Sequence, residues 1–501
     1  LNIRLNKYLP ALNSFSGILY NLLPIAYLVY AIILVCIATF MTPPFQNPDE
    51  PNHFARAEQV SRFEWIPTFV HENNKAGLTE AERLFGPDKG GFKTDGGIYH
   101  VDSLVQTPPK TLNKTTLANA DNVKWGESAI YYNFGNTAIY PPVVYFMPAL
   151  GIAIGKLFNM SVITTLYISR LLNATLSVAI TFIALLLARR SRILLFVVLL
   201  FPMTAAMFAS VSQDAILISC SFLIVAIVDH IEFDTTNGYQ KWQLYTLITL
   251  LAVVAVGKPP YLLFAAIVLF TKFSRKQKIA GICIPFAVLI SWLVINHANF
   301  GVRFASPELR VNAHLQFLGI IHRPLNFISM FFKYDKMALI NFAHMFVGVL
   351  GPLTLVFSDI YYRNAYIVLC VGMLAATGFK KNDKYVLRFV LISIVILTTI
   401  AILTAQYITW TALNSETLSG MQGRYLLPVY PFLALALSGF NANNKLNWLK
   451  TPLLIAVIIF PVYTAITMVQ GLTSKYYQDT TITRAHHPIT TSQKNQHLCI
   501  L

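Results

Sequence analysis

The chain has 501 residues, of which 55% are hydrophobic and only 12% charged, and its mean hydropathy is +0.56. A soluble domain carries roughly 25% charged residues, so this composition excludes an ordinary soluble enzyme and places the chain in a bilayer. A net charge of +16 would suggest nucleic acid for a soluble protein, but here the basic residues fall in short clusters between apolar runs, the positive-inside pattern of membrane proteins.

The first apolar run, 17–41, is long enough to cross a hydrocarbon core of about 30 Å. It is too long, and too polar at its exit, for a cleaved signal peptide, so it reads as a retained first span. The segment 42–137 differs from the rest: it holds twelve of the 22 acidic residues, several Gly and Pro, and no long apolar run. It reads as a soluble module outside the membrane. Its glycines at 90, 91, 96 and 97 lack both the GK[ST] and the strand context of a nucleotide loop, and are expected to be flexible.

Ten further spans are expected at 162–188, 193–211, 215–230, 242–256, 261–270, 279–295, 365–379, 386–405, 425–440 and 452–469, about eleven in all. The span 261–270 is short and needs tilt or local thinning. Placing the basic clusters Arg189/Arg190/Arg192, Lys272/Arg275/Lys276/Lys278, Lys380/Lys381/Lys384 and Lys445/Lys450 in the cytoplasm, with Arg4 and Lys7, makes these spans alternate consistently. The apolar stretches 140–158 and 338–357 would break that alternation, so they are assigned as juxtamembrane or re-entrant helices on the outer face. The expected fold is thus an all-α integral membrane bundle. Its parts are 1–41 (N-terminus and first span), 42–161 (outer module with juxtamembrane helices), 162–470 (helix bundle with shorter outer loops) and 471–501 (outer tail). The five cysteines are scattered, without the spacing of a zinc site or a disulfide framework.

Directly after the first span the chain reads PPFQNPDEPNHFARA, which sets two adjacent carboxylates, Asp49 and Glu50, at the lip of the membrane. Asp49 stands where an N-cap would start a helix over 50–62. Alternatively one carboxylate is a general base at the membrane surface. His53, one helical turn from Glu50, either shares that site or packs. Arg170, near Asn173, lies about two turns inside the second span, where a guanidinium needs a carboxylate or a lipid phosphate as partner. Asp214, in SVSQDA, either caps the following span or carries a function. Lys258 in GKPPY and Arg424 in QGRYLLP end spans as cations. Either snorkels, but an Arg beside Gly423 has room to grip a phosphate bidentately. No HExxH motif or Cys/His cluster appears; the metal reading left open is a divalent ion held by Asp49 and Glu50 together with a donor phosphate.

The blocks PPFQNPDEPNHFARA, IYPPVVYFMPALG (139–151), ARRSR (188–192), SVSQDA (210–215) and QGRYLLP (422–428) occur in an order and spacing that resembles the bacterial membrane-protein family catalogued as the domain of unknown function DUF2142. That family in turn resembles the GT-C glycosyltransferases, in which an acidic residue of the first outer loop serves as base and the sugar arrives on a polyprenyl phosphate or diphosphate. The resemblance implies a GT-C-like bundle with a large periplasmic first loop and a catalytic acid at Asp49 or Glu50. With the topology, it implies a substrate site drawing on His53, Tyr140, Arg170, Asp214, Lys258 and Arg424.

The function so implied is inverting transfer of one sugar from an undecaprenyl-phosphate-sugar donor to a cell-surface glycan such as O-antigen, or a lipid-linked acceptor. It would take place at the periplasmic face of a bacterial inner membrane, among membrane lipids and with no nucleic acid partner. Two other classes compete with it. An O-antigen polymerase or ligase would concentrate cations in a late outer loop, as Arg303, Arg310, His314, His322 and Arg323 do here. A lipid-linked-glycan transporter or flippase would place ionisable groups near the bilayer midplane.

Overall fold

A computed structural model describes residues 15–72, 77–106, 114–233, 239–333, 336–376, 385–438 and 448–477. Arg4, Lys7, Lys380, Lys381, Lys384, Lys445 and the tail beyond 477 lie outside the described residues, so the parts of the charge pattern that rest on them have no structural counterpart here.

The protein is mostly helical, and six of its described helices are long and apolar enough to cross a membrane: Phe15–Met41, Val162–Leu187, Asp214–Glu232, Arg275–Ile295, Tyr385–Trp410 and Lys450–Tyr476. Shorter apolar helices run over Pro142–Leu157, Lys241–Gly257, Pro259–Phe270 and Lys336–Val347. Burial sorts the long helices. Asp214–Glu232 is 89% buried and forms the middle of the bundle, whereas Arg275–Ile295 is 17% buried and stands at its edge. Phe15–Met41 divides by face: Leu23, Tyr27, Ala31, Leu34 and Ala38 are buried, while Ile18, Leu22, Ile25, Val29 and Ile32 are exposed apolar residues. A helix apolar all round with only one face packed is built for lipid on the other.

Several expected spans take a different form. The run 193–211 is two short helices, Arg192–Leu199 and Pro202–Phe208. Pro202 cannot donate to the preceding turn, so the first helix stops and a new one starts with Pro at its first position. The run 261–270 is a 3-10 helix, Pro259–Phe270, behind two prolines. The run 425–440 is a short 3-10 turn, Gly423–Leu426, followed by Tyr430–Leu437.

The acid-rich segment departs from an all-helical fold. It carries a three-stranded antiparallel sheet, β1 (Phe69–His71), β2 (Gly90–Thr94) and β3 (Ile130–Tyr132), in the order β1-β2-β3. Phe69 pairs with Phe92, and Phe92 with Tyr132; the Phe92 ring packs on Phe69 at 5.1 Å and on Phe134 at 5.0 Å. Gly90 and Gly91, expected in a flexible loop, belong to β2, where a Cβ on Gly91 would overlap the Tyr131–Tyr132 backbone of β3. A two-stranded hairpin, β4 (Val349–Leu350) with β5 (Leu355–Val356), follows the helix Lys336–Val347.

Candidate functional site

The first span ends at Met41 and the next helix begins at Glu50, so the NPDE segment has to turn the chain within eight residues. It does so through Asp49, whose backbone is left-handed at φ 56°, a conformation that Asp and Asn tolerate better than other non-glycine residues. Asp49 occupies the N-cap position, but its side chain makes no cap hydrogen bond, contrary to the capping expectation. The left-handed turn sends the two neighbouring carboxylates in different directions.

Glu50 points inward. Its side chain is fully buried and pairs with the equally buried Arg170, Nε to Oε1 at 2.8 Å and Nη2 to Oε2 at 2.5 Å. Asn47 Nδ2 and the Val211 backbone N–H donate to the same Oε1, at 3.1 and 3.2 Å. With both oxygens engaged, Glu50 shares no face with Asp49. A divalent ion held between the two would have to displace Arg170, so the residues present do not fit that group. Among the described residues no set of three or more His, Cys, Asp or Glu side chains converges to hold a metal.

Asp49 points outward, with its side chain 40% exposed. Its Oδ2 lies 3.6 Å from Arg424 Nη2, and its Oδ1 accepts a long hydrogen bond from Asn136 Nδ2 at 3.5 Å. Arg424 is itself buried. Its Nε donates to Gln422 Oε1 at 2.6 Å and stands 3.8 Å from Asp214 Oδ2. Lys258 Nζ completes the group, 3.1 Å from Asp214 Oδ1 and 3.8 Å from the centre of the Tyr425 ring. The structure therefore gathers Asp49, Asp214, Lys258 and Arg424 from four separate elements into one chain of alternating charge. Two carboxylates face two cations, and one carboxylate is open to solvent.

The surrounding elements explain the placement. A Cβ at Gly423 would overlap the Phe342 carbonyl and the backbone near Phe346. That glycine therefore lets the QGRYLLP turn press against the helix Lys336–Val347, rather than giving Arg424 open space. On the other flank, Arg56 is fully buried and donates to the Glu64, Trp65 and Tyr140 carbonyls, latching the Tyr140 turn onto the helix Glu50–Ser61. His53 faces the cluster from that helix, with its ring over Tyr140 at 6.3 Å and its Nδ1 2.6 Å from the Tyr145 hydroxyl. Burial is the main cause that lowers the imidazole to about 4, outweighing the pull of Asp49 and Asp214, so His53 is neutral near pH 7.

Of the residues named from the sequence, Asp49, His53, Tyr140, Asp214, Lys258 and Arg424 border one region, while Glu50 and Arg170 pair with each other beneath it. Gln422, Asn136, Tyr425 and Gln213 also belong to the region and were not anticipated. Gln213 is buried and donates to Asp214 Oδ1 at 3.3 Å, while its amide oxygen has no hydrogen-bond partner. Two of the late-loop cations are used elsewhere: Arg303 pairs with Asp88 at 3.2 Å and donates to the Arg83 carbonyl, and Arg310 lies over the Phe85 ring. They bind that loop to the acid-rich segment.

These features define a multi-pass membrane protein with an ionic cluster set where its helices end. The chain belongs to the DUF2142 family of predicted membrane proteins, whose model matches residues 32–433. Among solved structures it is similar to the archaeal oligosaccharyltransferase AglB from Archaeoglobus fulgidus, determined in complex with an inhibitory peptide and a dolichol-phosphate. The TM-score is 0.35 and the identity 11%, over 90% of this chain and 56% of that one. The chain thus spans little more than half the length of that protein. No curated protein matches it.

Proposed function

We propose that this protein is an inverting glycosyltransferase. It moves one sugar from an undecaprenyl-phosphate-sugar donor to a hydroxyl of a cell-surface glycan, O-antigen or a similar polymer, at the periplasmic face of a bacterial inner membrane. The observation that carries the reading is the asymmetry of the ionic cluster. Asp49 is the one carboxylate of the four charged groups that is substantially exposed, and it adjoins a guanidinium already fixed by Gln422 and Asp214.

In the proposed step Asp49 accepts the proton of the acceptor hydroxyl as that oxygen attacks the anomeric carbon. The new C–O bond forms as the bond from the anomeric carbon to the phosphate oxygen breaks, and undecaprenyl phosphate departs with the electron pair. The charge balance of the cluster suits this. Two carboxylates against two cations are neutral, so protonation of Asp49 leaves one positive charge in excess as negative charge develops on the leaving phosphate. Arg424 is the nearest donor to that charge, with Lys258 behind it, and preorganised donors of this kind act without reorganisation cost at the moment of reaction. The neutral His53 and Tyr140, whose rings stack at 6.3 Å, are the neighbouring side chains against which a sugar would rest. About eleven membrane crossings with the acid-rich segment outside complete the picture.

The test is mass spectrometry of the surface glycan from a host with and without the gene. A gain of one sugar per acceptor unit is expected. A change in chain length without such a gain would indicate a polymerase or ligase, and accumulation of lipid-linked glycan on one side of the membrane a transporter.

A further inference from the structure

We infer that Arg170 and Asn173, with Glu50, are positioning residues that set the spacing of the two carboxylates facing Arg424. The inference rests on the reading of Asp49 as the base. Arg170 and Asn173 are three residues apart on the helix Val162–Leu187, a spacing that puts both on one face. Each holds one of the two acidic segments.

Every N–H of the Arg170 guanidinium has an acceptor. Nε and Nη2 take the two Glu50 oxygens, Nη1 donates to the Thr39 and Thr42 carbonyls at 3.1 and 2.8 Å, and Nη2 also donates to the Pro43 carbonyl at 3.0 Å. The Thr39 carbonyl in the last turn of the first span, which no helical N–H reaches, and the Thr42 and Pro43 carbonyls just beyond that helix are thereby bound to the same cation as the start of the next helix. Asn173 Nδ2 donates to the Ser210 and Ser212 carbonyls at 2.8 and 3.4 Å. Between those two residues the Val211 N–H donates to Glu50 Oε1. The network grips the chain on both sides of Asp49, at Asn47 and Glu50, and just ahead of Asp214. Asp49 and Asp214 are not touched by it, yet neither segment can shift without breaking it.

The experiment uses the full-length protein in lipid nanodiscs. The donor is undecaprenyl phosphate bearing the sugar whose mass the host glycan gains, and the acceptor is that glycan. Glu50→Gln is expected to lower kcat per folded molecule about 10²-fold, the cost of a roughly 1 Å misplacement. The donor KM should stay close to wild type. If the donor KM rises in step with the fall in kcat, Glu50 acts in donor binding and the inference falls. If only thermal stability drops while kcat per folded molecule is unchanged, the pair is merely structural and the inference also falls.

Asn173→Ala leaves the buried ion pair in place, so it carries the test where the Glu50 variant does not fold. A kcat loss of about tenfold at unchanged KM is expected, and an unchanged kcat overturns the inference. Asp49→Asn run alongside separates the two ideas. If that variant is active, the base assignment fails, and a structure of the Glu50→Gln protein decides the positioning role. Separation of Asp49 from Arg424 supports it, and an intact contact refutes it.

Discussion

The Asp49 carboxylate and the Arg424 guanidinium approach to 3.6 Å, although they lie near opposite ends of the segment that defines the family. Contact between these two distant positions brings the helices Glu50–Ser61, Asp214–Phe233 and Lys241–Gly257 and the Gly423–Leu426 turn to one place. It also leaves Arg424 braced from three sides, by Gln422, Asp214 and Asp49.

Arg424→Ala should therefore act on the chemical step. Removing one preorganised donor to a developing anion costs about 10²–10³-fold in kcat, and a loss in that range is expected. Arg424→Lys should recover little of it, because an ammonium cannot reach Gln422, Asp214 and a phosphate in one plane as the guanidinium fork can. Single-turnover transfer rates of the two variants, compared at equal amounts of folded protein, check this.

The ion pair beneath the cluster makes a separate prediction about stability. Glu50 and Arg170 are both fully buried, and breaking such a pair from one side leaves an uncompensated charge, costing about 3–5 kcal/mol. Arg170→Met should lower stability by that amount, whereas a surface pair such as Arg303 with Asp88, about a third and a quarter exposed, should contribute at most about 1 kcal/mol. Denaturant titrations of Arg170→Met and Asp88→Asn in detergent give the comparison.

Much of this architecture was legible in the sequence for reasons of scale. A run such as 162–188 is long enough that apolar composition alone reports a helix, and Asp214, Lys258 and Arg424 were visible as charges where apolar runs begin or end. The strands β1 and β3, at three residues each, are too short for alternation to be read. Asp49 and Glu50 could not be told apart, because adjacent carboxylates look alike until a left-handed residue turns one inward. Nor did Gln422 stand out: its role depends on contact with Arg424 and leaves no periodic or charge signal. Pro202 was a readable break inside the run 193–211, and the length rule alone passed over it.

His53 supplies a pH signature. Its imidazole, lowered by burial to about 4 from about 6.5 in an unfolded chain, is charged more readily when unfolded. The associated stability is complete above about pH 6.5 and is lost as pH falls from there through about 4, with a slope near 1.4 kcal/mol per pH unit inside that window. His53→Gln should remove this component of the slope. Parallel stability measurements from pH 7 to pH 4 on the two proteins read it directly. Equal slopes would mean that the ring protonates in the folded state.

The central claim is that Asp49 takes the acceptor proton, and Asp49→Asn tests it most directly. Asn tolerates the same left-handed backbone, its amide oxygen can still accept from Asn136, and no cap hydrogen bond is lost because none is made, so the fold should stand. The measurement is sugar transfer by purified wild-type and variant protein, followed both as mass gained by the acceptor and as undecaprenyl phosphate released. A base contributes about 10²–10⁴-fold, and the variant is predicted to lose that much in both readouts while binding donor normally. Transfer at the wild-type rate by correctly folded Asp49→Asn would contradict the account.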